Sequence, residues 1–256
     1  MKDKATVRVH ACNFISSNCI TPVTGLTASL CGKKDFNCQS PIETGLHDVD
    51  GDFTFQVPTG GASGTGFDGY LLVDTPTELC TNRDAFGGAD TCVSLPACDP
   101  AMPDESCALP TVIPALLFFN PPVIADLARP LVLPLIPYTA GISLVTGAGA
   151  STSALSSGIV FATGLDCAGS PAAGLHFDVL PAPPGLSAVY QTNGVISASA
   201  SETDASGLGG LLGVPAGFVR VSAYVQAAGA RREVASIGAQ IRPLTVTYVS
   251  LIPPSP

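Results

Sequence analysis

The 256-residue chain has no tryptophan, only three histidines and two methionines, and charged residues make up just 12% of it. With 5 Tyr and 11 Phe as its only aromatics, it is short of the platforms on which sugars and bases stack. Lysine and arginine number 11 against 20 acids, a net charge of -9. All of that excess falls in residues 1–126, while residues 127–256 balance. A chain without a basic patch repels phosphate backbones and anionic membrane surfaces, which excludes nucleic acid as a partner. The histidines do not form a site either: His10 and His176 fall in strand patterns and His47 opens an acidic turn, so no H-x-x-E or H-E-x-x-H zinc motif can be assembled. A long apolar run is also missing. The most hydrophobic region, 108–145, is broken by repeated prolines and by Asn120, Asp126 and Arg129. No run reaches the roughly 18 apolar residues a membrane-spanning helix needs.

What is present is 46% hydrophobic residues punctuated by 27 Gly and 23 Pro, a mix that suits many short strands joined by turns. Nine cysteines are the second signal. Cys12, Cys19, Cys31, Cys38, Cys80, Cys92, Cys98 and Cys107 all precede residue 108, in a segment dense with turn residues. That is how an oxidising compartment staples loop-rich domains, and it makes these eight the disulfide candidates. Their pairing is left open. Zinc is disfavoured, because the closest pair, Cys92 and Cys98, is separated by five residues and has no histidine beside it. Cys167 stands apart, either free and buried or bridged across a domain boundary. The expected location is extracellular or at the outer cell surface, with the leader removed.

One phrase occurs twice. Asp48-Val49-Asp50-Gly51-Asp52 is followed by the alternating strand Phe53 to Val57, by Pro58, and later by Gly69-Tyr70-Leu71-Leu72-Val73. Thr203-Asp204-Ala205-Ser206-Gly207 is followed by Leu211 to Val214, Pro215, and Gly217-Phe218-Val219-Arg220-Val221. An acidic turn, a strand, Val-Pro, a glycine and a second strand repeated in one chain predict two tandem domains. The expected division is an N-terminal Cys-rich β-sandwich over 1–146 with a Pro-rich closing segment, a linker over 147–157, and a C-terminal β-sandwich over 158–256. Within the first, Val112–Leu117 and Leu131–Ile136 carry prolines and read as edge strands. Residues 76–107 read as too irregular for regular structure. Phe53, Phe55 and Val57 are expected to share a buried face, as are Leu175, Phe177 and Val179.

This order of elements, with Gly25-Leu26-Thr27-Ala28 and Gly174-Leu175-His176-Phe177 opening corresponding strands, resembles the carboxypeptidase regulatory-like, or transthyretin-like, β-sandwich module. More narrowly, Asp166 to Gly174 with Thr203 to Gly207 and Val214-Pro215-Ala216-Gly217 is similar to repeats in secreted lipoproteins of myxobacteria and their relatives. The resemblance implies an all-β fold of two tandem antiparallel Greek-key sandwiches of Ig-like appearance. It carries no catalytic residue across, because its motifs are turns and strand starts.

Candidate chemistry is thin. Asp48, Asp50 and Asp52 suggest a calcium loop, but the EF-hand spacing is broken: Gly51 comes two places early and Thr59 stands where a bidentate Glu belongs. The competing reading is a hairpin turn, with Gly51, Pro58, Asp204, Gly207 and Pro215 as structural turn residues. Gly64-Thr65-Gly66-Phe67-Asp68-Gly69 matches G-x-G-x-x-G by letter, yet it precedes a strand and lacks the helix that would hold a pyrophosphate. The expected function is therefore a non-catalytic structural, spacer or adhesion module of the cell surface, without cofactor, its partners other surface proteins or glycans. The alternative is a module that binds a glycan or Ca²⁺ on the acidic loops of the first domain.

Overall fold

The computed structural model describes residues 4–13, 26–46, 52–60, 66–74, 78–80, 92–94, 112–150, 157–227 and 229–254. Period-two alternation carries through into strands. β1 (Lys4–Asn13) buries Ala5, Val7, Val9 and Ala11, and β4 (Asp52–Pro58) buries Phe53, Phe55 and Val57 while Thr54 and Gln56 face solvent. β4 runs antiparallel on one side of β1, and β9 (Leu131–Leu135) runs parallel on the other.

A nine-stranded sheet forms the middle of the molecule. The N-terminal half supplies β2 (Thr27–Gly32), β3 (Glu43–Leu46), β5 (Gly69–Asp74) and β8 (Ala115–Phe118). The C-terminal half supplies β10 (Gly158–Gly164), β12 (Ser187–Thr192), β13 (Val195–Ser197), β14 (Leu208–Val214) and β17 (Val246–Leu251). Their order is β13-β12-β14-β10-β17-β8-β5-β2-β3. The halves meet where β17 and β8 pair in parallel, from Val246 opposite Ala115 to Tyr248 opposite Leu117. A further sheet, β11-β15-β16, is built from β11 (Leu175–Leu180), β15 (Gly217–Ala227) and β16 (Ala230–Ile241).

Neighbouring residues of the central sheet point to opposite faces, and they belong to two different cores. Leu71, Val73, Ile159 and Phe161 pack with Phe53, Phe55 and Leu133 against β4-β1-β9. Tyr70, Leu116, Val160 and Ala162 pack with Val219, Val221 and Ala239 against β11-β15-β16. The fold is all-β, two sandwiches whose inner layers are one continuous sheet, with the small sheets on opposite faces. The single α-helix among the described residues, α1 (Tyr138–Gly147), buries Tyr138 and Val145 in the first core.

The strand pairing has the same order in each half. β1 lies between antiparallel β4 and parallel β9, as β10 lies between antiparallel β14 and parallel β17. β5 lies between β2 and β8, as β15 lies between β11 and β16, all antiparallel. The last strand of each half is entered through Arg-Pro-Leu and left through Leu-Ile-Pro: Arg129-Pro130-Leu131 and Leu135-Ile136-Pro137 in the first, Arg242-Pro243-Leu244 and Leu251-Ile252-Pro253 in the second.

Three expectations need correction. Residues 112–117 do not form an edge strand: β8 lies between β5 and β17, and Pro114 stands just before it, where its carbonyl accepts the N–H of Val246 at 2.9 Å and its missing N–H is not needed. β9, with Pro134 inside it, is an edge. The excursion over 76–107 contains two short antiparallel strands, β6 (Glu78–Cys80) and β7 (Cys92–Ser94). α1 reaches Gly147, the first residue of the segment read as a linker, and the halves on either side of that segment are joined by strand pairing.

Candidate functional site

The second acidic turn is local chemistry carried out by one carboxylate. Asp204 Oδ1 accepts from the Ser206 N–H at 2.9 Å and from the Ser206 hydroxyl at 2.6 Å, while Oδ2 accepts from the Asn193 N–H at 3.0 Å. The Ser206 hydroxyl, followed by these N–H groups, holds the Asp204 carboxyl below its ordinary range. The Gly207 N–H closes the turn on the Asp204 carbonyl at 3.0 Å, with Gly207 at φ +65°. Pro215 then passes the chain from β14 to β15, from the central sheet to the outer one. In the first half, Pro58 ends β4 opposite Lys4. Asp48, Asp50 and Gly51 lie outside the described residues. Asp52 sits opposite His10 in the β1–β4 pair, and its Oδ1 is 2.5 Å from His10 Nδ1. Among the described residues no group of three or more His, Cys, Asp or Glu side chains converges on a metal-sized point.

Of the cysteines, Cys31 and Cys38 form a disulfide across a seven-residue separation. Cys12 is also disulfide-bonded. The backbone register of β6 and β7 places Cys80 opposite Cys92. Cys19, Cys98 and Cys107 lie outside the described residues. Cys167 is free and exposed, contrary to the expectation that it be buried or bridged. The reason is the turn around it, where Asp166 accepts from the Ala168 and Ser170 N–H groups and leaves residue 167 on the outside.

The loop closed by Cys31–Cys38 is one place where side chains of the two halves engage. Asp35 accepts from the N–H groups of Ser40 at 2.8 Å and Gln39 at 2.9 Å, which hold its carboxyl below the ordinary range. The Tyr70 hydroxyl donates to the Asp35 carbonyl at 2.5 Å, and burial pushes the phenol's pKa up. Arg242, the residue just after β16, donates to the Phe36 carbonyl at 2.9 Å and to the Tyr70 hydroxyl at 3.2 Å. Its guanidinium lies 5.9 Å from the Tyr70 ring centroid, in cation–π range. Phe36 meets Phe218 of the C-terminal half at 6.2 Å between ring centroids. Sequence reasoning missed this junction, although the signal existed: each half has a glycine-aromatic strand start (Gly69-Tyr70, Gly217-Phe218) and an Arg-Pro-Leu.

A shallow cavity of about 360 Å³ opens beside β11 and β12, floored by Phe177, Tyr190 and Leu211 and rimmed by His176, Asp178 and Arg231. The three charged or imidazole groups at its rim are already engaged. Arg231 pairs with Asp178 at 3.1 Å and stacks 3.8 Å over the Tyr224 ring. His176 Nδ1 lies 2.7 Å from the Ser201 carbonyl. Along β11, the N–H groups of Leu175, Phe177 and Val179 donate to Thr203 Oγ1, the Tyr190 hydroxyl and the Asp178 carboxylate at 3.0, 3.0 and 2.8 Å.

No known protein family and no curated protein matches the sequence. Among solved structures, the chain aligns with the shaft pilin SpaA from Lactobacillus rhamnosus GG at 11% identity and a TM-score of 0.28, over 99% of each chain. It aligns with GBS52, the minor pilin of Streptococcus agalactiae, at 13% identity and a TM-score of 0.24, over 98% of each chain. A streptococcal ancillary pilin aligns at 10% identity and a TM-score of 0.25, over 98% of this chain and 68% of that one. Scores of this size match no particular element of one chain to an element of another. The functional reading rests on this chain's own geometry.

Proposed function

We propose that the protein is a non-catalytic structural, spacer or adhesion module of the cell surface, built from two copies of a carboxypeptidase regulatory-like sandwich. The observation that carries this is the recurrence, in each half, of one pairing order with the same Val-Pro passage between sheets and the same Leu-Ile-Pro exit. Supporting it, the two sandwiches are merged through one sheet, through cores that each hold residues of both halves, and through side-chain bonds such as those of Arg242, Asn120 and Tyr248, an arrangement suited to holding a fixed length and direction. Disulfides at Cys31–Cys38 and at Cys12 fit an oxidising exterior. Among the described residues no helix is long and apolar enough to cross a membrane. Other surface proteins or glycans remain the partners of this reading.

Surface proteolysis of intact cells that make the protein tests it. The expected result is release of its peptides by added protease while a cytosolic marker stays protected, with the disulfides intact in the unreduced fragments. A protein found protected inside the cell, with its thiols reduced, would overturn the assignment.

A further inference from the structure

In the junction between the halves one arginine reaches one strand-opening aromatic ring, and the chain contains a second arginine and a second strand-opening ring at corresponding positions. Arg242 leads from β16 into β17 and reaches Tyr70, which opens β5 of the preceding half. Arg129 leads into β9 in the same way, and Phe218 opens β15 as Tyr70 opens β5. Within one copy Arg242 donates to the Tyr70 hydroxyl and to the Phe36 carbonyl. Arg129 faces solvent and Phe218 is 58% exposed. The tip of the Phe218 ring lies over Gly238 of β16, where an added Cβ would fall 2.3 Å from its Cζ, so the ring rests on the outer sheet while most of the residue stays exposed.

Each of these two exposed groups has apolar company. Phe36 lies beside Phe218, and Leu180 of β11 projects from the same face of the outer sheet; they are 45% and 44% exposed. On the segment that carries Arg129, Ile124 and Val132 are 67% and 58% exposed. Five of the seven large exposed apolar side chains among the described residues therefore fall with these two groups, three at Phe218, itself included, and two on the chain segment that carries Arg129. Exposed apolar groups gathered in this way mark contact surfaces.

We propose that these two places are complementary, and that the chain associates head to tail with a second copy of itself. Arg129 of one copy, with Ile124 and Val132, packs on Phe218, Phe36 and Leu180 of the next, repeating between copies what Arg242 and Tyr70 do within one. The inference rests on the two-copy reading of the fold. It differs from the internal junction in one respect: strand pairing is not repeated, because β9 contains Pro134, whose carbonyl already accepts from the Tyr248 hydroxyl. The contact is therefore side-chain based and weak, at the small end of interface sizes. It is also heterologous, so it leaves a free site at each end and grows openly with concentration.

Sedimentation velocity over a concentration series tests this with the full chain. Wild type is expected to grow beyond dimers. Arg129→Ala, at an exposed position and expected to keep the wild-type melting temperature, and Phe218→Ser, which also gives up the Phe36 contact and is compared well below its own melting temperature, should each weaken association by about tenfold or more. Mixed in equal amounts, the two variants should form dimers that grow no further, since each supplies the group the other lacks. A wild type that stays monomeric throughout, variants that associate as wild type does, or a mixture no more associated than its components would each overturn the head-to-tail contact. A monomeric wild type would leave the surface-module reading standing, because surface proteolysis tests that separately.

Discussion

Gly207 and Asp204 show how much a turn depends on single atoms. At φ +65° Gly207 occupies the left-handed region, and a Cβ there would meet the Gly164 carbonyl oxygen at 2.4 Å and the Ala172 nitrogen at 3.0 Å. Gly174 has a similar φ, +76°, but open space around it. Gly174→Ala should therefore cost roughly 1–2 kcal/mol, the left-handed penalty alone. Gly207→Ala should cost clearly more, because the backbone must also move; equal midpoints in urea would contradict this. Asp204 makes a pH prediction. Its folded pKa lies below the ordinary 3.8, so its stabilisation is present above that value and disappears as pH falls through the folded value. Asp204→Ala should melt below wild type at neutral pH, and the gap should close on acidification below about pH 4. A gap that persists in strong acid would assign the effect to something other than the carboxylate. Both residues were legible as turn formers, since Asx turns are made within a few positions. The approach of Gly207 to Gly164 was not, because it joins segments forty-three positions apart in sequence.

At the scale of elements, period-two alternation revealed the strands but not their neighbours. Phe53, Phe55 and Val57 announce a buried face wherever their strand lies, whereas the interior place of β8 depends on β17, more than a hundred residues later. Pro114 pointed to an edge because a proline within a strand loses a ladder bond, yet one residue before the strand it loses none. β11 illustrates another feature hidden from sequence. It is an edge of its sheet, and the side chains of Thr203, Tyr190 and Asp178 take N–H groups that would otherwise invite an added strand. Tyr190→Phe keeps the ring and removes the acceptor from the Phe177 N–H. It should lower stability by about 1–3 kcal/mol, the cost of a buried donor left unpaired, and speed hydrogen exchange at Phe177. An unchanged denaturation midpoint with unchanged exchange would remove this role from the hydroxyl.

For the whole molecule, the governing fact is that neither sandwich is complete without the central sheet. Tyr70, Leu116 and Phe118 of the N-terminal half are buried in the same core as Val160, Val219 and Ile241 of the C-terminal half, and the β8–β17 pair and the bond from Arg242 to the Cys31–Cys38 loop join the halves further. The sequence made two sandwiches legible through their repeated turns. It was silent on their fusion, because residues on both faces of a buried strand read as apolar whichever half covers them. The shared sheet and cores make the two halves one cooperative unit, and scanning calorimetry of the oxidised protein tests this most directly. One cooperative transition is predicted, with the calorimetric enthalpy equal to the van't Hoff enthalpy. Two resolved transitions, each carrying part of the heat, would contradict it.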